Sequence, residues 1–290
     1  MLRLLLVSCV WALSFGLLKH RLAGVHPDLV NAIRMALAAA VFVPWLLRQG
    51  PVGKARLRLL ALGALQFGLM YAAYTRAFAY LAGHQVALAT ILTPLYVTLF
   101  DDVLERRLRP RFLAAAVLSV IGTGLAVGVD RLEGAWTGLL LLQVSNLCFA
   151  VGQVWYRRVL RGRGAGNDAT AMAWAYVGGA GVTVLAALPR LPSLPSIAPD
   201  AWLALVWLGV VASALCFFLW NAGGRTVNAG VLAVMNDAKI PLGVGLSLVV
   251  FGEAADGSRL AAGCVLIAAA WWIAWRERVA PSPAVATETR

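Results

Sequence analysis

The strongest constraint on this chain is an alternation: apolar runs of about 20 residues, one after another, separated by short connections rich in Arg, Lys, Gly and Pro. A helix needs ~20 mostly apolar residues to cross a bilayer. In hydrocarbon only a structure that satisfies its own backbone is tolerated. The runs therefore predict a bundle of transmembrane helices, at roughly 2–20, 28–48, 57–80, 84–104, 110–129, 135–158, 168–189, 200–222, 228–251 and 259–276. Arg190-Leu191-Pro192-Ser193-Leu194-Pro195 is expected to break the seventh.

Composition agrees. Only 13% of residues are charged, against roughly 25% in soluble domains, and mean hydropathy is +0.80. The net charge of +12 would fit nucleic acid, but the basic residues sit in clusters between apolar runs, so the partner expected is the lipid bilayer. Leu6-Val7-Ser8-Cys9 mimics a lipoprotein cleavage box, but the apolar stretch before Cys9 is short and hydrophobicity continues past it, so a retained first helix is expected. Cys9, Cys148, Cys216 and Cys264 lie within apolar runs and read as core residues. His20, His26 and His84 have no metal-ligand spacing.

Lys and Arg set the orientation. Seventeen fall on connections of one side, five on the other, and three (Arg34, Arg76 and Lys239) inside helices, which accounts for all 25. Ten spans with both termini in the cytoplasm are expected. The chain also repeats. Thr93-Pro94-Leu95 leads to Glu105 as Ile240-Pro241-Leu242 leads to Glu253, and Phe112-Leu113-Ala114-Ala115 matches Arg259-Leu260-Ala261-Ala262. Trp11-Ala12 precedes Lys19 as Phe149-Ala150 precedes Arg157. Five helices per repeat would invert one half against the other, the plan of many secondary transporters, with the substrate near the midplane. The expected organisation is an all-α membrane protein, with one five-helix repeat at 1–131, a second at 132–280, and a disordered tail at 281–290.

The chain resembles the ten-helix, EamA-type branch of the drug/metabolite transporter superfamily. The residues that carry the resemblance are Trp11-Ala12-Leu13-Ser14-Phe15 with Lys19, then Arg34, Ala77-Phe78-Ala79-Tyr80, Pro94 followed by Glu105, Leu219-Trp220-Asn221, and Pro241 followed by Gly252-Glu253. It implies a central cavity between the halves and transport without ATP hydrolysis, as in amino-acid and metabolite exporters. Asn236-Asp237-Ala238-Lys239 before Pro241, and Asp101-Asp102, depart from the usual apolar or small residues of the family.

Charges at membrane depth cost ~2.5–3.5 kcal/mol each on insertion scales, so they are functional candidates. Lys239 is expected to attract a carboxylate or other anion, and Asp237 or Asn236 to read a polar or cationic group. Pro241 frees the Asp237 carbonyl. A mutual pairing of Asp237 with Lys239 or Arg76, holding helices together, is the competing reading. Arg76, Tyr74, Trp11 and Asn146 complete the expected substrate site. Pro94, Pro241 and Arg34 are assigned to bending or gating, and Glu105 and Glu253 to helix capping. Ser14, Tyr71, Gln143, Gln153, Trp220 and Asn221 could also line a cavity. The sequence carries no zinc motif, phosphate loop or nucleophile triad, so no enzyme and no cofactor are expected. The expected partner is a small polar or zwitterionic metabolite such as an amino acid, exported across a bacterial inner membrane by a monomer or weak homodimer. An exchanger of organic anions or phosphorylated sugars is the alternative.

Overall fold

A computed structural model describes residues 2–47, 54–104, 106, 110–127, 134–160, 168–226 and 229–279. Glu105, the 281–290 tail and part of the Arg- and Gly-rich 159–167 connection lie outside the described residues. The described residues are helical, with no strand among them, and form ten rods. These are α1 (Leu2–Arg21), α2 (Pro27–Leu46), α3 (Lys54–Ala77), α4 (Gly83–Leu104), α5 (Pro110–Val127), α6 (Ala135–Val159), α7 (Asp168–Ser196), α8 (Pro199–Gly224), α9 (Ala229–Val249) and α10 (Gly257–Val279). Among the described residues seven rods (α1, α2, α3, α4, α6, α7 and α8) are long and apolar enough to cross a membrane.

Local sequence explains several ends. Pro27 opens α2, where a missing N–H costs nothing, and the ring Nδ1 of His26 accepts from the Asp28 N–H at 3.2 Å. Gln85 Oε1 accepts from the Ala82 N–H at 2.9 Å at the head of α4. Gly134 precedes α6 with φ +74°, and a Cβ there would also sit 2.7 Å from the Tyr80 ring. The Leu188–Ser196 stretch does not break α7 as expected but continues it as a 3-10 helix. Pro189, Pro192 and Pro195 recur every three residues, the period of that helix.

Three irregularities inside rods bear on the site, besides the π-wound end of α1 at Leu17–Arg21. Ala64–Leu69 of α3 and Leu208–Leu215 of α8 are wound as π-helix, and α4 tightens to a 3-10 turn at Thr90–Leu92, just before Pro94. Such defects cluster at functional positions. The carbonyls of the α8 segment find outside donors: the Trp11 indole N–H donates to Ala212 O at 2.9 Å. The Tyr176 hydroxyl lies 2.9 Å from Ser213 O and 2.7 Å from Ala214 O.

Packing joins α2 to α7, α5 to α10, α1 to α9, α4 to α6, α3 to α6 and α7, α8 to α1 and α2, and α4 to α9. Apolar lipid gives helices little hydrophobic reason to associate, so close backbone contact must supply it. A Cβ on Gly63 would lie 1.7 Å from Ala175 O, and one on Gly178 2.0 Å from Leu60 O, so α3 and α7 meet backbone to backbone. The outward faces of α5 and α10 carry exposed Val117, Ile121, Val265 and Trp272, an apolar belt fit for lipid rather than water.

The two ends of the bundle differ. At one end, called the basic face, Arg157 donates to Gly224 O, and Arg225 holds Asp168 through two 2.7 Å contacts while donating to Leu160 O. Tyr156 adds a hydrogen bond to Asp168 at 2.7 Å. This knot ties the ends of α6, α7 and α8. At the opposite face Lys19 donates to Phe78 O at 2.8 Å, and Glu253, in the α9–α10 connection, reaches α1 and α4.

Candidate functional site

Seven rods (α1, α2, α3, α4, α6, α8 and α9) surround a central pocket of about 550 Å³ of empty space, part of it open to solvent. Its walls are mainly aromatic and apolar: Trp11, Phe15, Met70, Tyr71, Tyr74, Phe149 and Phe217. Trp11 packs on Phe217 at 4.8 Å and edge-on to Phe149 at 6.1 Å, and Phe217 meets Tyr71 at 6.0 Å.

Arg34 enters this wall from α2. It is 2% exposed. Its Nη2 donates to the Tyr71 hydroxyl at 2.8 Å, and Nε and Nη2 both donate to Ser213 Oγ at 3.2 and 3.1 Å. The guanidinium also lies 4.2 Å from the centre of the Tyr71 ring. Ser213 sits in the π-wound segment of α8, so the defect supplies the hydroxyl that orients the arginine. Nη1 has no partner among the described residues, and none of the described salt bridges involves Arg34. A guanidinium that lines a cavity without an acidic partner among the described residues is chemically suited to an anion, because Arg forks match carboxylates.

Lys239 reaches the same pocket from α9. It is also buried, with Nζ donating to Asn236 Oδ1 at 3.0 Å. The ammonium lies 5.3 Å from the Trp11 ring centre and 5.9 Å from that of Phe149, within cation–π range. None of the lining residues is acidic among the described residues. The cavity therefore holds two cations and no carboxylate.

A polar wall completes it. Thr90, Thr93, Ser145 and Asn146 line the pocket from α4 and α6. Thr93 donates to Asn146 Oδ1 at 3.2 Å, and Asn146 Nδ2 donates to Ala89 O at 2.9 Å. That carbonyl borders the 3-10 turn that Pro94 follows, so the bend in α4 is stabilised by a side chain of α6.

Of the expected site residues, Lys239, Tyr74, Trp11 and Asn146 line the pocket, and so does Arg34, expected to bend or gate. Asn236 stands behind Lys239 and holds it. Asp237 is not a lining residue; its Oδ1 lies 3.5 Å from Asn236 Nδ2. Arg76 is not at the pocket either: its Nη2 donates to Asp28 Oδ1 at 2.6 Å and Nη1 to Ala72 O at 3.0 Å. Asp28 is in the first turn of α2, where a carboxylate is favoured, and it captures the arginine across the α2–α3 junction. Pro94 and Pro241 flank the pocket without lining it. Ser213, Thr90, Thr93, Ser145, Phe149 and Phe217 were not singled out from sequence as cavity residues. Ser213 is polar amid a long apolar run, and the threonines bracket the helix-bending proline, so weak signals existed.

At the opposite face Glu253 closes α1, α4 and the α9–α10 connection together. Its Oε1 accepts from the Gly83 N–H at 2.8 Å and lies 3.0 Å from His20 Nε2. Its Oε2 accepts from the His84 N–H at 2.9 Å and lies 2.7 Å from His84 Nδ1. Burial by itself would raise this carboxyl, but the hydrogen bonds from the His84 ring and backbone, Gly83 and His20 outweigh it and hold it down to about 2.

Comparison with known proteins identifies relatives across the chain. The EamA-like transporter family matches residues 1–128 and 136–275. The chain is 38% identical over 293 residues to the biotin transporter of Salmonella typhimurium, covering 99% of this chain and 96% of that one. It is 37% identical over 292 residues to the biotin transporter of Escherichia coli (strain K12), with the same coverage. It is 28% identical over 272 residues to the aromatic amino acid exporter YddG of Ancylobacter novellus, covering 89% and 90%. One solved crystal structure of a protein superimposes with a TM-score of 0.66 at 24% identity, covering 95% of this chain and 98% of that one, a likeness of fold.

Proposed function

The chain belongs to the EamA-like transporter family, within the drug/metabolite transporter superfamily, and from that premise we propose that its central cavity carries a small carboxylate of the biotin type across a bacterial inner membrane. The observation that carries this reading is the pairing, in one largely aromatic pocket, of Arg34 and Lys239 with no acid among the lining residues. Biotin joins a carboxylate to an uncharged ureido ring and an apolar tail. The carboxylate would take the Arg34 guanidinium and Lys239, the ureido group Thr90, Thr93 and Asn146, and the tail the rings of Trp11, Phe149 and Phe217. The relatives at 37–38% identity are named biotin transporters.

The amino-acid exporter reading is weaker. It needs an acceptor for an α-ammonium, and Asp237 does not line the pocket. The distant relative with that name keeps it as the second reading.

Ten crossings in two inverted halves, 1–131 and 132–280, with both termini cytoplasmic, fit this function. Support comes from packing. Exchanging α1–α5 with α6–α10 turns α1–α9 into α6–α4, α3–α7 into α8–α2, and α3–α6 into α8–α1, all observed pairs. The π-wound segments in the middle of rods fall in the matching pair α3 and α8, while a third closes α1 at Leu17–Arg21, and Pro94 and Pro241 lie in the matching rods α4 and α9. The basic face would then be cytoplasmic. Such halves rock around a central site, and a monomer suffices.

The test is uptake by purified protein in proteoliposomes, comparing biotin, biotin methyl ester and aromatic amino acids, with and without a proton gradient. Saturable biotin flux, blocked by excess free biotin and not by the ester, is expected. Equal competition by the ester would remove the carboxylate role, and preferential flux of amino acids would favour the second reading.

A further inference from the structure

Five rings form a continuous layer beneath the cavity on its basic-face side. Phe67 packs on Phe217 at 5.1 Å, Phe217 on Phe149 at 5.8 Å and on Trp11 at 4.8 Å, and Trp11 on Trp220 at 5.2 Å. Phe149 and Phe217 line the pocket, and Trp220 does not. Beyond this layer the chemistry changes. Gln153 lies one turn past Phe149 along α6, and Asn221 one turn past Phe217 along α8, each about 6 Å nearer the basic face. Gln66 precedes Phe67 on α3, and its side chain rests against α6 at Gly152, where a Cβ would come within 2.6 Å of it.

These polar side chains are buried and poorly matched. Gln66, Gln153 and Asn221 are each under 5% exposed. Both polar atoms of the Gln66 amide, the Gln153 Nε2, the Asn221 Oδ1 and the Trp220 indole N–H have no hydrogen-bond partner among the described residues. The Asn221 Nδ2 reaches only the Met172 sulfur, at 3.4 Å. Leaving polar groups unpaired in an apolar interior is costly, and Leu or Met of similar size would avoid that cost. Three rods carry such groups, next to a site where Thr90, Thr93 and Asn146 are hydrogen-bonded. The cost is recovered if they meet a ligand in another conformation.

We infer that Gln66, Gln153 and Asn221 form a second polar station on the translocation route, which takes the substrate's uncharged hydrogen-bonding groups once the Trp11–Phe149–Phe217 layer parts. The inference rests on the reading of the cavity as a transport site. The station is neutral, where the cavity is cationic. It would therefore hold a ureido or amide head weakly and let the carboxylate leave first toward the basic face.

Two measurements test it on the full chain. In the first, Gln66→Leu, Gln153→Leu and the double variant are compared with wild type for thermal stability in detergent and for biotin flux in proteoliposomes. Stability is expected to hold or rise, because unpaired amides are removed. Flux is expected to fall about tenfold per residue, the value of one neutral hydrogen bond lost in transit. In the second, Gln153→Cys in a background without the four native cysteines is exposed to a membrane-impermeant thiol reagent from each side of sealed vesicles. Labelling from the basic face, with a rate altered by added biotin, is expected. Wild-type flux in the double Leu variant, or no labelling of Cys at 153 from the basic face, would overturn the inference. If wild-type protein carries no carboxylate at all, the transport reading fails instead, and the labelling result still decides whether this level opens.

Discussion

The two cations of the cavity are held in opposite ways. Arg34 is clamped from two other helices, by Tyr71 of α3 and Ser213 of α8, with its plane against the Tyr71 ring. Lys239 is held by its own helix alone, through Asn236 one turn earlier and the charge of Asp237 two residues before it, and otherwise rests over two rings. It also stands two residues before Pro241, where α9 lacks a backbone donor. A planar fork fixed in place selects geometry, whereas a point charge on a flexible stem follows a ligand. Arg34 is thus suited to decide which substrate binds, and Lys239 to report binding to α9, a rod with a built-in hinge position.

The sharpest way to break this contrast is at Arg34. Arg34→Ala should lower biotin flux about 100-fold or more, the cost of truncating one partner of a buried charge contact. Arg34→Lys should recover little, because the charge returns without the fork. Wild-type flux in Arg34→Lys would show that charge alone matters and erase the distinction. Lys239→Met should cost less, about tenfold in flux, and should weaken the dependence on the carboxylate rather than abolish transport. Tyr71→Phe and Ser213→Ala each remove one hydrogen bond to Arg34, and a three- to tenfold loss, about 0.5–1.5 kcal/mol, is expected. If those two variants lower thermal stability and leave biotin flux at the wild-type value, Arg34 is a packing residue rather than the anion pole.

Much of this was legible in one dimension, and the exceptions have a common cause. Ten apolar runs and their basic connections follow from hydropathy, because each helix reports its own solvent. Lys239 was legible as a candidate because a charge far from either helix end is expensive wherever the helix packs, even with Asp237 two residues away. Arg34 read as a packing or gating residue because its place at the cavity wall depends on Ser213, 179 residues away, and on a π-wound segment that no local pattern announces. Arg76 read as a substrate contact because its partner Asp28 lies in a different helix, 48 residues earlier. Proline spacing marked the end of α7, but the three-residue period continues the rod as 3-10 helix rather than ending it. Spans report on single helices, and sites report on how helices meet.

The smallest expected effect separates the mooring of α9 from the charge that α9 carries. Glu253 ties the far end of this rod to α1 and α4, so cutting it should loosen Lys239 and leave Arg34 untouched. The carboxyl is held down to about 2 from an ordinary value of 4.5. A depressed folded-state value contributes stability above the unfolded value and loses it as pH falls through the folded one. Wild-type thermal stability should therefore include the Glu253 contribution above about pH 4.5 and lose it progressively toward pH 2. Glu253→Gln should be less stable near neutrality and lack this component of the acid dependence, so the two curves should converge at low pH. The variant's biotin affinity should fall only a few-fold, since no substrate contact is removed, and the loss should vanish when Lys239→Met is already present. Parallel stability curves across that window would show that the Glu253 carboxylate is not what moors α9.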